Sequence, residues 1–131
     1  FEREGTIDRV QYLGFRNDIP TLMQHARVLI SLSRHEGMPN VVMEAVQCGL
    51  PVVVSDIPEH RAILGDDYPF YVALDSPADT AAATIGRAWS LAPAGTDQLY
   101  GYARDVLAGS SADRVVAAYL AAFRKQKSSG P

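Results

Sequence analysis

RVLISLSRHEGMPNVVMEAVQCGLPVVVS, Arg27 to Ser55, carries two unbroken apolar runs, Val28-Leu29-Ile30 and Val52-Val53-Val54, on either side of one loop and one helical stretch. An apolar run without alternation is how a strand covered on both faces reads. Between the runs, Pro39 suits a helix start and Gly49 a helix stop, which predicts a helix over 39–48. Strand, helix and strand in that order argue for a parallel pair.

Working outward, the same rhythm continues. Arg9 to Leu13 (RVQYL) favours a strand ended by Gly14, and Asp18-Ile19-Pro20 opens a helix with Asp18 as its cap. Pro58 to Leu64 predicts a short helix closed by Gly65, and Phe70 to Leu74 a last strand. Helical patterns follow over 77–91, 96–107 and 112–125. The expected fold class is α/β: a doubly wound, Rossmann-like parallel sheet with helices on both faces. One domain over 1–127 with a polar tail at 128–131 accounts for the chain, and no internal repeat or low-complexity segment interrupts it.

Composition narrows the function classes. The chain has 131 residues, a formal net charge of −3 and one cysteine, Cys48. That balance gives no basic field to draw nucleic acid, excludes a disulfide framework and favours a reducing, cytoplasmic setting. No apolar run approaches the roughly 20 residues needed to cross a membrane. The opening Phe1-Glu2-Arg3-Glu4-Gly5 reads as the end of a helix, which leads us to expect the distal part of a longer domain.

The chemistry gathers in EGMPNVVMEA, Glu36 to Ala45. In an open parallel sheet, ligands collect outside the carboxyl ends of the strands, and this stretch leaves such an end. Gly37 allows a turn and close backbone approach, and amides around Met38, Asn40 and Val41 are expected to face a phosphate or sugar oxygen with the helix dipole behind them. Glu44 lies among Val41, Val42, Met43, Ala45 and Val46, where a buried carboxylate is expensive unless something satisfies it. Helical side chains lean toward the N-terminus, so Glu44 is expected to face the loop that carries Glu36. Carboxylates repel phosphate but accept hydroxyl hydrogens, so a ligand with hydroxyls at both ends and phosphates between them fits: a nucleotide sugar.

At this point EGMPNVVMEAVQCGLPVVVSDIPEHRAIL resembles the signature of GT-B retaining glycosyltransferases, above all the large family 4. That family carries a Glu-x7-Glu motif, and Glu36 and Glu44 stand at that spacing. VQYLGFRNDIPTLMQHARVLISLS is similar to the strand, helix and strand that precede the motif. The resemblance implies a partial C-terminal, donor-binding domain of the GT-B fold. It implies that Glu36 contacts hydroxyls of the donor sugar, that Gly37, Met38, Pro39, Asn40 and Val41 line the diphosphate and sugar, and that Glu44 holds the ribose. Phe15 and Arg16 match the place where the family meets the nucleobase. The chemistry so implied is sugar transfer from a nucleotide-diphosphate sugar, with retention, no resident metal or other cofactor, and neither glutamate as nucleophile. An acceptor glycan or lipid would be bound by an N-terminal domain, and the parent protein would be cytoplasmic or peripheral at the membrane. The family's Gly-rich loop and its diphosphate-neutralising Arg and Lys have no counterpart before Arg9, so this chain alone is expected to be inactive.

Two other classes stay open: a non-catalytic nucleotide-sugar-binding or scaffold module, and a GT-B nucleotide-sugar 2-epimerase. His25, His35 and His60 are expected on solvated surfaces, Cys48 in the core, and Arg34 at the surface. Asp56 and Glu59 follow a strand end, where capping of helix 58–64 is the ordinary role and a minor part in the site stays open. A sheet cut short exposes an edge, so self-association is expected.

Overall fold

A computed structural model describes residues 9–91 and 96–109 of the chain. The elements run α1 (Ile19–His25), β1 (Leu29–Ser31), α2 (Asn40–Gln47), β2 (Val52–Ser55), α3 (Pro58–Leu64), β3 (Tyr71–Val72), α4 (Ala78–Trp89), α5 (Thr96–Leu99) and α6 (Gly101–Gly109). The sheet is parallel and ordered β1-β2-β3, with Leu29 opposite Val52 and Val54 opposite Tyr71. This is the α/β architecture that the alternation of elements predicts.

β2 is the central strand, and its four residues are all buried. A β-branched run fits that position because both faces of the strand meet packed side chains. Val42, Ala45 and Val46 of α2, Ile63 and Leu64 of α3 and Ala88 of α4 complete the core around it. Two tyrosines clamp the start of β2. The Tyr68 hydroxyl donates to the Val52 carbonyl (2.6 Å), and the Tyr100 hydroxyl donates to the Leu50 carbonyl (2.6 Å). Their rings stack with centroids 6.0 Å apart. Burial raises both phenols above their ordinary pKa, Tyr100 to about 12, so each remains a donor.

Several expectations change. Residues 9–13 form no strand, and Val10 and Tyr12 are 77% and 94% exposed. A strand needs a neighbour to take its amides and carbonyls, and none of the described residues pairs with this segment. β1 is not covered on both faces: it is an edge strand, and Ile30 is 47% exposed. The stretch expected as one helix over 96–107 is two, α5 and α6, with Tyr100 turned inward at the junction. Asp18 precedes α1 without a side-chain capping bond, because Arg16 Nε donates to its carboxylate instead (2.7 Å). The helix expected over 112–125, the opening 1–5 and the tail at 128–131 lie outside the described residues.

Candidate functional site

The loop from Leu32 to Pro39 leaves the carboxyl end of β1 and feeds α2. It is tied to the neighbouring strand at its start, where the Ser55 hydroxyl donates to the Ser33 carbonyl. His60 lies beneath this junction, wholly buried rather than solvated as its sequence context suggests. Its Nδ1 is 2.8 Å from the Ser55 carbonyl, which only a protonated nitrogen can satisfy, so Nδ1 carries the hydrogen. Its other ring nitrogen, Nε2, is buried with no hydrogen-bond partner among the described residues.

Glu44 is exposed, not buried. α2 is amphipathic after all: Val42, Ala45 and Val46 face the core, while Asn40, Glu44 and Gln47 face outward at helical spacing. That outward stripe forms one wall of a cleft of about 720 Å³, a size ordinary for a small-molecule site. Gly37, Met38 and Pro39 form its end, Glu59 and Ile63 of α3 the opposite wall, and Val106 and Leu107 of α6 its apolar flank. Among the described residues, no lysine or arginine lines it.

The structure therefore brings Gly37, Met38, Pro39, Asn40 and Glu44 together. Glu36 is half-buried in the adjoining loop and does not line the cleft, nor does Val41, which is 39% exposed. Phe15 is 95% exposed and Arg16 is occupied by Asp18; neither borders the cleft. The Asn40 amide, expected to be open to a ligand, donates to the Met38 carbonyl (2.8 Å). The Met38 and Val41 amides make no hydrogen bond among the described residues, as expected of the first turn of a helix. Gly37 is not in a left-handed conformation, so the turn itself does not demand glycine.

Asp56 and Glu59 separate in role. Asp56 does not cap α3 but holds Arg61 through two hydrogen bonds (2.6 and 2.8 Å), and Arg61 reaches on to Asp66 (3.0 Å). The Arg61 guanidinium keeps the Asp56 carboxyl below the usual carboxylate range. Glu59 instead faces the cleft and meets His35 Nδ1 at 2.7 Å. Gln47, Met43 and Glu59 are lining residues that sequence reasoning left in the background. The four-residue spacing of Asn40 and Glu44, extended to Gln47, was the available signal for the first. Val106 and Leu107 had none, since the docking of α6 is a long-range contact.

A second hollow, of about 480 Å³, opens between the sheet and α4, with Leu32, Arg34, Ser55, Leu74 and Ser76 in its lining. Among the described residues, no three His, Cys, Asp or Glu side chains gather as a metal site would need. No helix among them is long and apolar enough to cross a membrane.

Comparison with known proteins gives this geometry a family. Residues 2–88 match the family model described as glycosyl transferases group 1. The chain is similar to a UDP-Gal:alpha-D-GlcNAc-diphosphoundecaprenol alpha-1,3-galactosyltransferase of Escherichia coli, at 37% identity over 46% of this chain and 16% of that protein. It is similar to an N,N'-diacetylbacillosaminyl-diphospho-undecaprenol alpha-1,3-N-acetylgalactosaminyltransferase of Campylobacter jejuni, at 47% identity over 36% of this chain and 12% of the relative. An O-antigen chain mannosyltransferase B of Escherichia coli shares 38% identity over 49% of this chain and 16% of its own length. The matched stretches thus span less than a fifth of each of these relatives. With the family model covering well over half of its length, the chain belongs to the group 1 glycosyltransferases.

Proposed function

We infer that this chain carries the nucleotide-sugar donor site of a retaining, family 4 glycosyltransferase of GT-B architecture. The observation that carries the reading is the placement of Glu44: an exposed carboxylate one turn inside α2, on the wall of a cleft whose end is the Gly37-Met38-Pro39 turn. Glu44 accepts hydrogen bonds from the ribose hydroxyls. The unpaired amides of Met38 and Val41, at the positive end of α2, receive diphosphate oxygens. Gly37, Pro39 and Asn40 shape that turn. Glu36, at the mouth of the loop, takes hydroxyls of the transferred sugar. Phe15 and Arg16 are assigned to the nucleobase by the resemblance to the family alone, since neither borders the cleft.

Transfer on this reading is a same-face displacement. The bond from the sugar's anomeric carbon to the leaving diphosphate breaks as the acceptor oxygen bonds to that carbon, and the acceptor's proton passes to the departing phosphate oxygen. Neither glutamate forms a covalent bond, and no resident metal or other cofactor is required. The acceptor is a glycan or a lipid-linked sugar, in line with the diphosphoundecaprenol named for two of the relatives. It is bound by an N-terminal domain in a cytoplasmic, peripherally membrane-associated parent protein. With no cationic side chain on the cleft among the described residues, this chain alone binds donor weakly and does not turn it over.

Equilibrium titration with UDP, GDP, ADP and their sugar conjugates tests the assignment. One nucleotide series binds in the millimolar range, and Glu44→Ala removes that binding. Undiminished binding by Glu44→Ala contradicts the reading.

A further inference from the structure

Among the described residues, two polar side-chain contacts tie the loop between β1 and α2 to the rest of the molecule, and both lead to the first turn of α3. On the outside, His35 Nδ1 meets the Glu59 carboxylate at 2.7 Å, with the His35 side chain 82% exposed. On the inside, the Ser33 carbonyl accepts from the Ser55 hydroxyl, and the Ser55 carbonyl accepts from His60 Nδ1 at 2.8 Å. The outer contact is open to water and contributes little order. The inner one is sealed, because Ser55 and His60 are both buried.

His60 is a costly side chain for its position. Its Nε2 is buried with no hydrogen-bond partner among the described residues, a loss of stability that an apolar side chain of similar volume would avoid. The Ser55 carbonyl does not depend on the imidazole either, since the Ile57 amide donates to the same oxygen (3.0 Å). Nδ1 also lies 3.5 Å from the Ser55 hydroxyl oxygen, so the ring packs against the group that holds the loop. As core filling the histidine is poorly suited; as a brace for Ser55 it is well placed. Local losses of this kind persist in folds where a site needs them.

We propose that His60 is a positioning residue for the donor site: it fixes Ser55, and Ser55 fixes the Ser33 end of the loop, so that Glu36 and the turn at Gly37 are set before the donor arrives. Preorganisation of this kind lowers the ordering cost of binding. His60 itself touches neither donor nor acceptor. The proposal rests on the donor-site reading for what the loop binds, and adds the buried relay that sets the loop's position.

The 131-residue chain is compared with His60→Leu, His60→Asn, Ser55→Ala and the double variant His60→Leu/Ser55→Ala. Three readouts are taken: urea unfolding, heteronuclear NOE at the Ser33 to Gly37 amides without ligand, and titration with UDP-, GDP- and ADP-sugars. His60→Leu is expected to keep or raise the urea midpoint, yet to lower the NOE across the loop. It is also expected to weaken the nucleotide sugar that binds by about fivefold, the scale of one hydrogen bond. His60→Asn, whose amide nitrogen stands where Nδ1 does, is expected to restore loop order and affinity. Ser55→Ala is expected to reproduce both losses, and His60→Leu added to it to cost no more, because the two residues act in series. A merely structural histidine would lower midpoint and affinity together. If His60→Leu keeps wild-type loop order and affinity, or if the losses in the double variant add, the proposal is overturned; loss of binding in Glu44→Ala then leaves the donor-site reading standing. Should His60→Leu fail to fold, Ser55→Ala decides alone, and unchanged loop order and affinity in it overturn the proposal. If no nucleotide sugar binds the wild-type chain, the donor-site reading falls and the proposal with it.

Discussion

At Gly37 a Cβ atom would meet nothing within 4 Å, and the backbone there is one that any residue can adopt. Gly65 is the opposite case: its φ is +83° with ψ 164°, a region open essentially to glycine alone, and a Cβ would stand 3.0 Å from the Tyr102 ring. Gly65→Ala is therefore expected to destabilise the fold by about 1–3 kcal/mol. Gly37→Ala is expected to change stability by less than about 0.5 kcal/mol, yet to weaken nucleotide binding, because a methyl group there intrudes only on a ligand. Urea midpoints, with titration of each variant, separate the two outcomes. A Gly37→Ala chain that binds as well as the wild type would remove this turn from the donor site. Tyr100 is a third residue whose cost can be stated. Tyr100→Phe leaves the buried Leu50 carbonyl without its hydroxyl donor, and a loss of about 1–2 kcal/mol is expected in the same urea assay.

At the scale of the element, α3 links the sheet to the cleft, with its charges divided between two tasks. Arg61 ties the helix back to Asp56 and forward to Asp66, while Glu59 turns to the cleft. Arg61 lowers the folded-state pKa of Asp56 below its unfolded value near 3.9. The contribution is therefore present above that unfolded value and is lost as pH falls through the lower folded value. The pair is about a third exposed, so the effect is under about 1 kcal/mol. Melting curves from pH 6 to pH 2 are expected to converge for wild type and Asp56→Asn at the acid end. α3 was legible in the sequence because Pro58 and Gly65 punctuate it locally, and β2 because a run of three valines fits few other places. Glu44 is exposed despite its apolar sequence neighbours because neighbours in sequence are not neighbours on a helix: Val42 and Val46 face the core while Glu44 lies on the other side. His60 beneath the strand end, the inward turn of Tyr100, and the closure of the cleft by α6 all depend on contacts remote in sequence. Local patterns carry no trace of those.

At the scale of the whole molecule, β1 ends the described sheet and leaves one side of its backbone without a strand partner. Ile30 on that edge is 47% exposed, and Leu32 and Leu74, which share the hollow beneath α4, are each 46% exposed. An unpaired edge beside an apolar patch invites another chain. Sedimentation of the chain is expected to show concentration-dependent self-association that Ile30→Lys suppresses; a single monomeric species at all concentrations would contradict it. The cleft between α2, α3 and α6 is lined by none of Ile30, Leu32 and Leu74, so the edge and the cleft can be perturbed separately.

Entry of a nucleotide into that cleft is tested most directly by a residue-resolved amide NMR titration with the nucleotide that binds. Shifts concentrated at Gly37 to Glu44 and at Glu59, and lost in Glu44→Ala, are the predicted result. Shifts confined instead to Leu32, Arg34, Ser55 and Leu74, around the hollow beneath α4, would contradict it.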